Sequence, residues 1–94
     1  LPDTYMLTQN YPNPFNPSTT IEYSLPVRSD VTIEILNILG QRVKRLVDKE
    51  QAAGNYQVVW DSRNDSGQRV ATGIYFYRLT ADGFTKTKKM LLLR

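Results

Sequence analysis

The sequence predicts an all-β protein, an antiparallel β-sandwich of about seven short strands. Three observations carry this. Apolar residues recur at every second position in several short stretches, the period of a strand with one buried face. Pro, Gly, Asn and Asp clusters break the chain every eight to twelve residues or so. No stretch sustains a convincing helical period.

The segment from residue 1 to 10 is a lead-in, with Tyr5-Met6-Leu7-Thr8 as a short edge strand. Next comes Tyr11-Pro12-Asn13-Pro14-Phe15-Asn16-Pro17-Ser18-Thr19, with three prolines in six residues. Each proline removes an amide donor and fixes φ, which excludes a helix or a central strand. The expectation is a stiff crossing with Tyr11 and Phe15 as hydrophobic plugs. In Thr20 to Leu25, Ile21, Tyr23 and Leu25 share one face of a half-buried strand. Pro26 ends it, and Arg28-Ser29-Asp30 turns the chain. Val31, Ile33 and Ile35 mark a second strand, and the two are expected to form a hairpin. Asn37-Ile38-Leu39-Gly40 breaks the alternation and supplies a glycine for positive φ. Val43, Leu46 and Val47 fit a helical turn as well as a strand; strand neighbours and the hairpin-like position of Gly40 favour strand. Asp48 to Asn55 reads as a loop. Tyr56, Val58 and Trp60 lie on one face of another strand, and Asp61 to Gly67 is a polar turn cluster. Gly73 to Thr80 holds three of the ten aromatic residues in eight positions and reads as a central strand. Ala81-Asp82-Gly83-Phe84 turns it into a last strand running from Thr85 to Arg94. The pattern is that of a sandwich of immunoglobulin-like size.

Residues 1–94 are read as one small domain, able to bury roughly 60–70% of its unfolded surface. The chain lacks cysteine, so no disulfide supports it, and it lacks histidine, the commonest general base and nitrogen metal ligand. Its longest unbroken apolar run, Met90 to Leu93, is far too short for a membrane span. The net charge of +3 comes from interspersed signs, with one cluster at Lys86, Lys88 and Lys89. Without a starting Met or a signal peptide, the chain reads as a piece of a longer protein.

Catalytic and binding constellations are sparse. Serines have no histidine partner and no Gly-x-Ser-x-Gly elbow, so no enzyme activity and no cofactor are expected. Asp61, Asn64, Asp65 and Gly67 loosely resemble a calcium loop, but the alternating ligands and closing Glu of an EF-hand are missing. Asx-type hydrogen bonding is the expected reading of that turn, and no metal is expected. Six tyrosines and one tryptophan could form a sugar-binding face, but Tyr23, Tyr56 and Trp60 share the faces of core residues. The lysine cluster lacks a sustained basic stripe, so no nucleic-acid partner is expected; lysines also guard exposed edges.

Specific words carry the reading further. Asn10-Tyr11-Pro12-Asn13-Pro14-Phe15-Asn16-Pro17, Asn37-Ile38-Leu39-Gly40-Gln41, Ala53-Gly54-Asn55-Tyr56, Val59-Trp60-Asp61, Gly73-Ile74-Tyr75-Phe76-Tyr77-Arg78-Leu79 and Lys88-Lys89-Met90-Leu91 occur in this order. Together, over nearly the whole chain, they resemble the immunoglobulin-like C-terminal sorting domain of type IX secretion. The run from Trp60-Asp61 through Gly67 to Gly73 and Tyr75 is also similar to the immunoglobulin-like domain of the flagellar hook-capping protein.

The first resemblance implies a non-catalytic C-terminal module of a longer secreted protein. It implies an N-terminal passenger, an outer-membrane translocon and a sortase-like peptidase as partners. The implied location follows export through the periplasm, at the outer-membrane surface or outside the cell. The motif positions it implies are Pro12, Asn13 and Pro14; Gly73 and Tyr75; and Lys89, Met90, Leu91, Leu92, Leu93 and Arg94. An unpaired terminal strand would be a handle for strand addition, and Gly73 would allow a bulge or close approach. The second resemblance implies a structural assembly module. An accessory carbohydrate-binding module is a third expectation.

Overall fold

A computed structural model describes all of residues 1–94. Seven strands form two antiparallel sheets and no helix. The strands are β1 (Met6–Leu7), β2 (Thr19–Leu25), β3 (Ser29–Leu36), β4 (Arg42–Gln51), β5 (Gly54–Trp60), β6 (Gly73–Ala81) and β7 (Phe84–Leu92). One sheet has the order β1-β2-β5, the other β4-β3-β6-β7.

The core follows from the alternation. Ile21, Tyr23 and Leu25 of β2 face Val31, Ile33 and Ile35 of β3 across the sandwich, all at most 2% exposed. Tyr75, Tyr77, Leu79 and Ala81 add the inner face of β6, and Met90 and Leu92 that of β7. Burying each such side chain stabilises the fold by about 1.5–3 kcal/mol before chain entropy is counted.

Three expectations need correction. β2 and β3 are not a hairpin; they lie in different sheets. Each has one face that is apolar except for Thr19 on β2 and Ser29 on β3, and crossing over at Pro26 lets the two faces bury each other. Asp48 to Asn55 is not a loop. β4 continues to Gln51 and pairs with β3 as far as Ser29, so only Ala52 and Ala53 join β4 to β5. Its polar end reads as loop because it is a solvated edge strand. Tyr11 is no plug; it is 80% exposed, whereas Phe15 is 2% exposed. The backbone of Tyr11 exchanges two hydrogen bonds with Thr20, which turns its side chain outward.

The ambiguity at Val43, Leu46 and Val47 has a local cause. The β3–β4 register shifts between Ile33 and Glu34, so Ile33 faces Val47 and Glu34 faces Arg45. Leu46 is the extra residue of a bulge, and a bulge mimics helical spacing over a few positions. Leu46 and Val47 both pack on the core. Gly40 has φ +78° in the turn joining β3 to β4, as its position implied.

The molecule measures 37 × 22 × 20 Å. Strand directions place the Tyr5–Phe84 stack (centroids 5.0 Å apart) and the β6–β7 turn at one pole. The proline-rich crossing, the Asp61–Thr72 loop and the end of β7 lie at the other.

Candidate functional site

The pole at the end of β7 brings together the three motifs that lie far apart in sequence. The first, Pro12-Asn13-Pro14, belongs to a crossing with Tyr11–Pro12, Asn13–Pro14 and Asn16–Pro17 all cis. Buried side chains hold it. Asn10 Nδ2 donates to the carbonyl of Pro12 at 3.3 Å and to Thr19 Oγ1 at 3.0 Å, and Thr19 Oγ1 donates to the same carbonyl at 2.8 Å. Asn10 and Thr19 are nearly inaccessible, and no buried side-chain N or O atom lacks a partner. Ser62 Oγ ties the other end by donating to the carbonyl of Pro17.

The crossing runs along the outer edge of β7. Leu91 N donates to Asn13 Oδ1 at 3.0 Å. Phe15 N donates to Leu91 O, and Leu93 N to Phe15 O, each at 3.0 Å, a parallel bridge. Gln9 Nε2 donates to Lys89 O at 2.8 Å. Gln9 Nε2 stands in for a backbone N–H that a proline-rich segment lacks, and Asn13 Oδ1 stands in for a backbone carbonyl. The last strand is therefore paired on both sides over Lys89–Leu93, which corrects the expectation of an unpaired handle. The outer edge stays open only over its first half, Thr85–Lys88, where Thr85 to Lys86 and Lys88 give it a threonine- and lysine-rich character.

The second motif enters opposite. Gly73 pairs with Leu92 and Tyr75 with Met90. Gly73 has φ +140°, a region reserved for glycine, and a Cβ there would meet nothing within 4 Å. Of the bulge or close approach expected the structure has neither, since the β6–β7 register is regular from Gly73 onward; the role of Gly73 is backbone conformation. Tyr75 packs edge-on to Trp60 (centroids 5.3 Å), which packs on Phe15 (5.8 Å). The Tyr75 hydroxyl donates to Ala71 O, and Trp60 Nε1 to Arg63 O at 2.9 Å, so both aromatic rings satisfy their polar atoms in the adjoining loop. Burial pushes the Tyr75 phenol up from its ordinary value.

Within the third motif Met90 and Leu92 are core, Leu91 is half-buried on the outer face, and Lys89, Leu93 and Arg94 are exposed. Arg94 Nη2 reaches Val70 O at 3.3 Å. The positions that sequence reasoning missed are Gln9, Asn10 and Thr19, together with the Tyr77 hydroxyl. That hydroxyl accepts from Asn10 N at 2.8 Å and donates to Thr8 O at 2.7 Å, pinning the lead-in to β6. Burial is the main reason its pKa is pushed up to about 12. Asn10 stood in a motif word, but only a contact 67 residues away gives it a task.

The Asp61–Gly67 loop is an Asx-type turn. Asn64 Oδ1 accepts from Ser66 N and Gln68 N, both at 3.0 Å, and Asp61 Oδ1 accepts from Arg63 N. Asp65 docks the loop on β4, donating its amide to Val43 O and accepting Arg45 N on Oδ1. The carboxylate and amide oxygens are thus spent on backbone and arginine. On the outer face of β3, Glu34 gathers Arg42, Arg45 and Arg78 at 3.1–3.8 Å. Its contact raises the Arg45 pKa further.

Two sheets of three and four strands around a Phe15–Trp60–Tyr75 cluster define an immunoglobulin-like β-sandwich domain. The chain belongs to the FlgD Ig-like domain family, whose family model matches residues 16–83. No curated protein matches it. Among solved structures it is similar to dimeric latent PorU from Porphyromonas gingivalis, with TM-score 0.75 and 21% identity over 93% of this chain and 9% of that one. It is similar to FlgD from P. aeruginosa, with TM-score 0.62 and 28% identity over 80% of this chain and 59% of that one. It is similar also to PorZ of Porphyromonas gingivalis, described as an essential surface component of the type-IX secretion system. There the TM-score is 0.61, with 20% identity over 98% of this chain and 12% of that one. The chain spans less than two thirds of each of these proteins.

Proposed function

We propose that the chain is a non-catalytic C-terminal sorting domain. It directs an N-terminal passenger to a type IX secretion translocon, for export or attachment at the outer-membrane surface, where a sortase-like peptidase acts on it. The observation that carries this reading is the convergence of Pro12, Asn13 and Pro14, Gly73 and Tyr75, and Lys89 to Arg94 at one pole. Tyr75, Met90 and Leu92 anchor this corner in the core, and Pro12, Asn13, Pro14, Lys89, Leu93 and Arg94 are exposed around it as a surface to be read. The likeness to PorZ, itself named as part of that secretion system, supports the same direction.

A second reading, a structural Ig-like assembly module, is favoured by the FlgD family match. The match runs from residue 16 to 83 and leaves out Pro12, Asn13, Pro14 and the whole of β7. Two of the three motifs that build the corner thus lie outside the match, while Gly73 and Tyr75 lie inside it. A carbohydrate-binding module has less support, because Tyr23 and Tyr56 stack on each other at 5.3 Å and Tyr11 alone among the tyrosines is largely exposed.

The test is an export assay. The chain is fused behind a fluorescent reporter that reaches the periplasm of a host with the type IX system, beside the reporter without it. Reporter outside the cell only with the folded domain is the expected result. Equal periplasmic retention of both, with the domain shown to be folded, moves the assignment to the assembly module.

A further inference from the structure

The outer face of the β4-β3-β6-β7 sheet is segregated along its length. On β6 it reads Ile74, Phe76, Arg78, Thr80, and on β7 Thr85, Thr87, Lys89, Leu91, with Leu93 just beyond. Polar residues occupy the half toward the Tyr5–Phe84 pole; apolar ones collect at the motif pole. Ile74 and Leu91 are directly paired, Ile74 is 43% and Leu93 46% exposed, and a hollow of about 190 Å³ lies among Asn13, Ile74, Lys89, Met90 and Leu91. A solvated sheet face has no need of such a patch.

The polar groups in its wall are one-sided. Asn13 Oδ1 is occupied by Leu91 N, which leaves Asn13 Nδ2 as a donor with no protein acceptor. Lys89 takes part in no ion pair; all seven are made by arginines, and the nearest, Arg78, is held by Glu34. The hollow therefore offers apolar walls, an amide donor and an ammonium, and no carboxylate. We propose that it seats an apolar side chain from a segment of another protein that carries a carboxylate beside that side chain. A second copy docked through the same patch is the wrong occupant, because the patch carries Lys89 and no carboxylate to answer it. A lipid surface fits poorly as well, because the feature is concave and walled by Asn13.

The inference stands apart from the export reading, since it is tested by binding to the purified chain. The probes are a blocked tetrapeptide with two leucines between aspartates, the same peptide with lysines in place of the aspartates, and phosphatidylglycerol vesicles. The readout is amide and side-chain shift changes across the whole domain by NMR. The expected result is saturable binding of the acidic peptide, with the changes centred on Ile74, Lys89, Leu91 and the Asn13 side-chain amide. Lys89→Gln weakens it about fivefold, as loss of one exposed charge contact does. Ile74→Thr removes it, and Lys86→Gln leaves it unchanged. Absence of saturable binding, equal binding of the lysine peptide, a shift map centred elsewhere, binding of vesicles but not peptide, or concentration-dependent dimerisation through this face would each overturn the proposal.

Discussion

Asn13 and Leu91, 78 residues apart, are joined by one hydrogen bond in which a side-chain oxygen stands where a neighbouring strand's carbonyl would be. Asn13→Ala removes that acceptor. The expected cost is about 1 kcal/mol, since the Leu91 amide becomes reachable by water. Hydrogen exchange should accelerate at Leu91 while the β6–β7 ladder amides keep their protection. Asn13→Asp keeps an acceptor and should retain most of that protection. Unchanged exchange at Leu91 in the alanine variant would mean that the crossing does not depend on this contact.

Gly73→Ala separates conformation from space. With φ +140° and nothing within 4 Å of an added Cβ, the change costs backbone strain alone, about 1–3 kcal/mol. Gly83→Ala, at a site with open space and outside the positive-φ region, is the control and should be near neutral. Thermal melts of the two variants check this, and equal melting temperatures would count against strain at Gly73.

Tyr77 predicts an alkaline limit. Its phenol titrates near 10 in an unfolded chain and is pushed up to about 12 here. Between those values the folded state holds a proton that the unfolded state has lost. Stability should therefore be full below about pH 10 and decline as pH rises toward 12. Tyr23 and Tyr75, also raised by burial, work in the same direction. Tyr77→Phe removes the largest share of this slope. It also leaves Asn10 N and Thr8 O without their partner, costing about 1–3 kcal/mol at neutral pH. Denaturant melts at neutral and alkaline pH read both effects.

Truncation before Lys89 should unfold the domain rather than merely trim it. Met90 and Leu92 are 1% and 2% exposed, and deleting buried side chains of that size costs about 2–5 kcal/mol each. Two such losses rival the whole stability of a small domain, about 5–15 kcal/mol. Circular dichroism of the shortened chain should show no cooperative transition. A cooperative melt near that of the full chain would contradict the core assignment. Export tests of the last strand therefore belong with exposed positions such as Lys89 and Leu93.

Where one strand face was apolar, the sequence was a sufficient guide. Ile21, Tyr23 and Leu25 announce their strand because period-two burial depends only on nearest neighbours. Which sheet a strand joins depends on partners far along the chain, so the β2–β3 connection was read as a hairpin. Leu46 shows a different limit, because one extra residue in a bulge shifts the period locally. The site was legible as motif words at Pro12–Pro14, Gly73, Tyr75 and Lys89–Arg94. Their meeting was not, because it rests on Gln9, Asn13 and Phe15 using one or two hydrogen bonds each to a strand about 80 positions later.

The parallel bridge between Phe15 and Leu92 has a mechanical consequence. The chain enters at the Tyr5 pole and leaves at the Arg94 pole, so tension between its ends pulls the crossing and β7 past each other lengthwise. The contacts of Gln9, Asn13 and Phe15 with Lys89, Leu91 and Leu93 then bear load together in shear, rather than peeling one at a time. A domain built this way resists being drawn out by its ends more than the strength of any one of those bonds implies.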